Sequence, residues 1–373
     1  MKTIQPNSNI NRRDALKLAG LAGIAAVSGY ALYEYAPWLN YEAAATQPRR
    51  AFTSSELLPA QMLELVRFAA LAASGHNTQP WKFAVQENTI EIQPDFSRRL
   101  PAVDPNDREL WISLGCALEN LLIAARAAGY EPEVTYPAAL KRIRVVLNRD
   151  RPQPGAWFDA ISLRQNTRSI YDGQRIAPNS LDRLRALPLE SGVSLHFILE
   201  PAGLERVLEY VNQGNLSQFA DKAFVTELLR WLRFTKKEAL ISRDGLYSGA
   251  SGNPPVPRWI GQVVVAGTKP QQQADADAAK LRSSAGAVIV ASTADTLSAW
   301  VKVGQVYERL ALELTALDIK SAFLNQPIEV ADLRGQFQSA MNLGSVLPQL
   351  LVRFGHADAM PRSLRRPVED MLV

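Results

Sequence analysis

Apolar residues recur along this chain first at helical spacing and then at strand spacing. Met62, Leu63, Leu65, Val66, Phe68, Ala69, Leu71 and Ala72 form an apolar helical run. A turn at Glu87-Asn88 leads into Thr89-Ile90-Glu91-Ile92, whose alternation predicts a strand. A polar connection containing Pro94, Pro101 and Pro105 follows, and then Trp111 to Gly129 predicts an amphipathic helix. Leu114, Leu118, Leu121, Leu122 and Ala125 share one face of it, and Gly129 is placed to cap it. Arg142 to Leu147 reads as a further strand, so residues 50–150 predict an α/β unit.

The second half repeats this pattern. Trp111, Gly115 and Glu119 reappear 189 positions later as Trp300, Gly304 and Glu308. The same shift carries the apolar face of the first helix onto Val303, Tyr307, Leu310, Ala311 and Leu314. Gly286 to Ala291 ahead of this helix is apolar throughout, as a strand covered on both faces would be. An internal duplication accounts for the shared Trp, Gly and Glu better than two unrelated amphipathic helices do.

The N-terminus reads differently. Arg12 and Arg13 precede a Gly/Ala-rich apolar stretch from Leu18 to Leu32, short for a membrane-spanning helix. Paired arginines before a mildly apolar segment look like a twin-arginine export signal, which places the protein in the periplasm or cell envelope. Ala43-Ala44-Ala45 follows or forms a cleavage site, or the segment stays as an anchor. The expected division is a leader over 1–45, a first lobe over 50–150 and a second lobe over 155–373. That second lobe contains a lid-like insertion at about 212–257. Within it, residues 244–255 are rich in Gly, Ser and Pro and read as either a lid or a disordered connection.

Composition adds mainly exclusions. The chain has 373 residues, 47% of them apolar and 21% charged, which is ample for a large core. A net charge of +4 spread along the sequence argues against nucleic acid as a partner. The one cysteine, Cys116, allows no internal disulfide, and three separated histidines (His76, His196, His356) fit no metal-ligand spacing.

The candidate chemistry centres on Ser74-Gly75-His76-Asn77-Thr78-Gln79-Pro80-Trp81, between the first helical run and its strand. Small and amide residues at a helix end leave backbone N–H groups and side-chain amides free for a planar polar ligand. Pro80 pushes Gln79 toward extended geometry. The stretch resembles the flavin-contacting Ser-x-x-Asn-x-Gln-Pro-Trp motif of the nitroreductase family, whose members use FMN. The resemblance runs from about Leu58 to the C-terminus and is weakest between about 200 and 280. It implies an α+β nitroreductase-like fold duplicated within one chain, two α/β lobes forming a pseudo-dimer, and a monomer of the two-lobed branch called Acg-like.

By the same resemblance Ser74, His76, Asn77 and Gln79 contact FMN. Arg164-Gln165-Asn166-Thr167-Arg168 is similar to the family's Arg-x-Ser-x-Arg segment with one residue extra. Arg164 would hold phosphate, Asn166 or Thr167 would supply an amide or hydroxyl, and Arg168 would lie near the ring. Arg365, or Arg366 beside it, corresponds to a phosphate-binding arginine ahead of a terminal proline. In Gln326-Pro327-Ile328-Glu329, Ile328 would cover the ring and Glu329 would lie close to its N5. The first lobe has only Arg49-Arg50-Ala51-Phe52 ahead of its helix, so the parts of one complete cleft are divided between the lobes. The implied activity is electron transfer from reduced FMN to a small acceptor such as a nitro compound or quinone. NAD(P)H is a candidate donor, although the chain has no dinucleotide fingerprint. The alternative is an FMN-binding or storage protein with little turnover. Export would engage the twin-arginine translocon.

Overall fold

The computed structural model describes residue 29 and residues 40–136 and 142–373. Arg12 and Arg13, and all of the 18–32 stretch but Gly29, lie outside the described residues. The first half contains helices α1 (Tyr41–Thr46) and α2 (Leu58–Ala69), a hairpin of β1 (Trp81–Gln86) and β2 (Thr89–Pro94), helix α3 (Arg108–Ala127), and strands β3 (Tyr130–Thr135) and β4 (Ile143–Arg149). Helices α4 (Ala156–Leu163) and α5 (Pro178–Arg185) link it to β5 (Val193–Ile198) of the second half. Next come α6 (Pro201–Ala220), α7 (Lys222–Trp231), β6 (Leu232–Arg233), α8 (Lys236–Ser242), β7 (Leu246–Tyr247), α9 (Arg258–Ala266) and α10 (Pro270–Arg282). The chain closes with β8 (Gly286–Ser292), α11 (Leu297–Ala316), β9 (Lys320–Phe323), α12 (Gln326–Glu329), α13 (Ala331–Ala340) and β10 (Leu347–Gly355).

One topology occurs twice in this α+β architecture. The first sheet runs β1-β2-β4-β3 and the second β5-β8-β10-β9, all neighbours antiparallel. In each, the second strand leads through a 20-residue helix into the third. Those helices, α3 and α11, make the centre of the molecule, and the two repeated glycines explain how they approach. A Cβ on Gly115 would stand 2.1 Å from the Val301 carbonyl oxygen, and one on Gly304 would stand 2.0 Å from that of Ile112. Only glycine permits this crossing.

The unbroken apolarity of β8 also has a structural cause. All seven of its residues are buried. Val288 and Val290 join the main core around α3 and α11, while Ala287, Ile289 and Ala291 pack into a second core with α6, α10 and α13. Alternate side chains therefore serve two different cores, although the sheet is antiparallel.

Two boundaries differ from expectation. Tyr41 and Ala45, assigned to the leader, are buried against α8 and the C-terminal tail. The Tyr41 ring lies 5.0 Å from that of Tyr247, and its hydroxyl donates to the Arg362 carbonyl. The insertion is also wider than 212–257, since everything from α6 to α10 lies between two neighbouring strands. Its Gly/Ser-rich stretch is held closed, with Tyr247, Ser248 and Ala250 buried and Asp244 paired to Arg98 and Arg233.

Candidate functional site

The loop after α2 takes an unusual path. His76, Asn77 and Gln79 have φ of 46°, 52° and 52°, in the left-handed region. Gln79 is thus not extended, despite preceding Pro80. Its N–H donates to the Ser74 hydroxyl at 3.1 Å, its Nε2 donates to the Arg243 carbonyl at 2.9 Å, and its Oε1 accepts from the Arg366 N–H at 2.8 Å. Three hydrogen bonds offset the backbone preference. Asn77 ties the loop to the insertion and the tail, donating from Nδ2 to the Gly245 and Leu364 carbonyls.

Beside this loop lies a cavity of about 510 Å3, within the size range of small-molecule and cofactor sites. Ser74, Gly75, His76 and Ser113 line it from the first half. Asn166 and Arg168 line it from the linking segment, Tyr307, Phe323 and Glu329 from the second half, and Phe219, Phe224, Leu228 and Leu246 from the insertion. The α3–α11 crossing brings these distant segments to one place. Burial and neighbouring Arg168 push the His76 imidazole down to about 4, so it is neutral at pH 7. Its Nδ1 is buried without a hydrogen-bond partner among the described residues.

At one end a smaller cavity of about 40 Å3 is lined by Arg49, Arg164, Arg168 and Arg365, together with Ser74 and Asn77. Arg362 adds a further nearby cation, which with Arg164 depresses Arg49 to about 9, behind the larger effect of burial. One buried carboxylate answers this cluster: Glu308 lies 3.1 Å from Arg164 Nε and accepts from the Ala73 N–H. Arg164 and Arg365 both donate to the Leu71 carbonyl, and Arg365 Nη1 donates to Asn77 Oδ1 at 2.9 Å. Carbonyls past the end of α2 and an amide thus hold the guanidinium groups in place. Burial drives Arg365 well below its ordinary value, and its Nε has no hydrogen-bond partner among the described residues. So dense a positive cluster around a small void fits a dianion such as a phosphate monoester.

At the other end stand three carboxyl groups. Glu109 and Glu329 line the large cavity and Asp104 lies behind Glu109. Burial first, and then mutual repulsion along Asp104, Glu109 and Glu329, pushes each up to about 7. Arg108 donates to Glu109 at 2.9 Å, Asn325 Nδ2 donates to it at 3.3 Å, and Gln218 Nε2 donates to Glu329 at 2.6 Å. The cavity therefore has a cationic end and a proton-holding end.

Of the residues expected to form a site, Ser74, His76, Asn77, Arg164, Arg168, Glu329 and Arg365 line one or other of these two cavities. Four do not. Gln79 is fully buried and spends its amide on Arg243 and Arg366, holding the insertion and the tail. Ile328 packs into the second core. Thr167 is fully buried, and its backbone N–H donates to Ser321 of β9. Arg366 turns away, donating from Nη2 to the Asp370 carbonyl. Arg49, Arg362, Glu109 and Gln218 escaped the sequence reading. Arg49 was visible only as half of an Arg-Arg pair, and nothing local showed that α1 folds back onto the tail.

No family model matches the chain. A Mycobacterium tuberculosis protein named "Putative NAD(P)H nitroreductase" is 26% identical over 321 residues, covering 83% of this chain and 90% of its own. Another from that organism, bearing the same name with the suffix acg, is 24% identical over 318 residues, covering 82% and 93%. Among solved structures, the FMN-dependent nitroreductase NfnB from Mycobacterium smegmatis in complex with NADPH aligns over 58% of this chain and 96% of its own. That alignment has 13% identity and a TM-score of 0.39.

Proposed function

We propose that this chain is an FMN-dependent oxidoreductase of the nitroreductase family, taking a hydride from NAD(P)H and passing electrons to a small acceptor such as a nitro compound or quinone. The observation that carries this reading is the arginine cluster opening beside a cavity built from both halves. The names of the mycobacterial relatives support the nicotinamide donor.

Arg49, Arg164, Arg362 and Arg365 would hold the phosphate, with Asn77 orienting Arg365. Ser74, His76 and Arg168 would meet the ring in the larger cavity. Bound there, FMN supplies a hydride acceptor that can release electrons singly or in pairs. Arg168 would place positive charge beside the ring and so would stabilise negative charge on its reduced form. Phe219, Phe224 and Leu228 exclude water from the mouth, and Glu109 and Glu329 hold a proton at the far end.

Export by the twin-arginine route to the periplasm or cell envelope, and function as a monomer with one cleft, belong to the same proposal. The decisive experiment reconstitutes the protein with FMN and mixes it anaerobically with NADH or NADPH. Rapid loss of the oxidised-flavin absorbance supports the oxidoreductase. Flavin binding with no loss of colour would favour a storage role.

A further inference from the structure

The insertion between β5 and β8 has a second face, turned away from the cavity. Helix α9 seats Gly261 against Phe234, where a Cβ would come within 2.2 Å of the ring. Arg258 fastens the helix by donating to Glu238 and to the Leu232 carbonyl. Trp259, Val263 and Val264 project away from that contact and are 69%, 70% and 62% exposed. Trp259 and Val263 are one turn apart, and on α8 Ile241 is 71% exposed. Three large apolar side chains pointing outward from one nine-residue helix are not explained by this chain's own packing.

The same segment is basic. Residues 222–269 contain eight Lys and Arg against three Asp and Glu, a local surplus of five. The carboxylates do not offset this at the surface. Glu227 is buried, accepting from the Ala102 and Val103 N–H groups. Asp244 is buried between Arg98 and Arg233, and Glu238 pairs with Arg258. Lys222, Arg230 and Lys269 remain exposed.

We propose that α9 and its basic surroundings dock the protein on an anionic lipid bilayer, with Trp259, Val263 and Val264 entering the headgroup boundary. A Trp-bearing apolar helix face flanked by cations is the pattern of interfacial helices. Each nearby Lys or Arg adds attraction to an anionic surface that falls off within a Debye length. Lys is depleted at protein interfaces, so ammonium groups beside the apolar patch favour a lipid surface over a protein partner.

The test uses the full chain carrying Val263→Cys, labelled with an environment-sensitive fluorophore. Cys116 is buried, so labelling is confined to the new thiol. A reporter at this position reads α9 itself, independent of any membrane affinity of the apolar N-terminal stretch. Phosphatidylglycerol vesicles should shift its emission to the blue, and added salt should reverse the shift. In a Lys222→Gln/Arg230→Gln/Lys269→Gln background, reaching half the shift should need more than about tenfold more lipid, since each cation contributes roughly 1 kcal/mol near such a surface. An absent shift, or one equally large on phosphatidylcholine vesicles, would overturn the proposal. So would a blue shift in buffer that grows with protein concentration, since the face would then be a contact between copies of this chain.

Discussion

Glu119 and Glu308 stand at matching places on the two crossing helices but receive different cations. Glu308 meets Arg164, which comes from the linking segment and lines the small cavity. Glu119 meets Arg309, which comes from α11 itself and is also held by Glu190 at 2.7 Å. Even their lesser neighbours correspond: Gln305 donates to Glu119, and its counterpart Cys116 lies against Glu308.

One FMN per chain is therefore expected. In the mirrored region Arg309 is already neutralised by two carboxylates and is not free to meet a phosphate dianion. Flavin released by denaturing a fully reconstituted sample, measured against protein concentration, should give a ratio near one. A ratio near two would show that the mirrored region binds flavin as well.

Arg49→Ala should weaken FMN binding and Arg366→Ala should not. Arg49 borders the arginine-lined void, whereas Arg366 turns toward Asp370. Loss of a desolvated charge partner costs roughly 2–5 kcal/mol, about 30-fold or more in affinity. Titration of the apo variants with FMN separates the two. Equal weakening, or an effect at Arg366 alone, would move the phosphate site toward the tail.

Stability should decline as pH rises from about 4.5 toward 7, in part because of Glu109. Its native value of about 7 lies above the ordinary 4.5, so the native state holds a proton that the unfolded chain has released. The contribution is present below that window and is lost as pH rises through it. Glu109→Gln should flatten the decline in melting temperature over that interval. An unchanged slope would mean that Glu109 is not the group holding the proton. His76 acts at the acidic end: with a native value near 4 against 6.5, its contribution is lost as pH falls between them.

Gly115→Ala and Gly304→Ala should each destabilise the fold, although alanine is the better helix former by about 1 kcal/mol. The new methyl would meet backbone oxygens at 2.1 Å and 2.0 Å, and neither helix can shift without its strands. Overpacking costs about 1–3 kcal/mol or more, so the melting temperature should fall. A rise would mean that the helices can separate.

Replacing Arg12 and Arg13 with Lys should block delivery to the envelope if export follows the twin-arginine route. Fractionation of cells expressing the full chain reads this directly, and unchanged delivery would exclude that route.

The repeated helix was legible because its Gly and Glu stand at a crossing that tolerates little else. Strand β8 was legible because a strand between two cores has no polar face to disguise it. Within the site, Ser74, Arg164 and Arg168 stood in short local patterns that carry their own chemistry. Arg49 and Glu109 did not. Their importance comes from packing between segments hundreds of residues apart, such as α1 against the tail, with no trace in local spacing. Gln79 shows the same limit: its motif position gave no sign that its amide joins the tail and the insertion.

Joining both halves in one chain has a genetic consequence. Where two identical subunits meet, every substitution is made on both sides of the axis, and no position can serve one side alone. Here Gln305 can differ from Cys116, and Arg309 from Asn120, without any compromise between them. One side gathers arginines around a small void, and the other pairs its arginine with two carboxylates. Mutational tolerance should therefore differ between the halves at corresponding positions. Under the proposed function the side with the void would answer to a small molecule, and the paired side only to the fold.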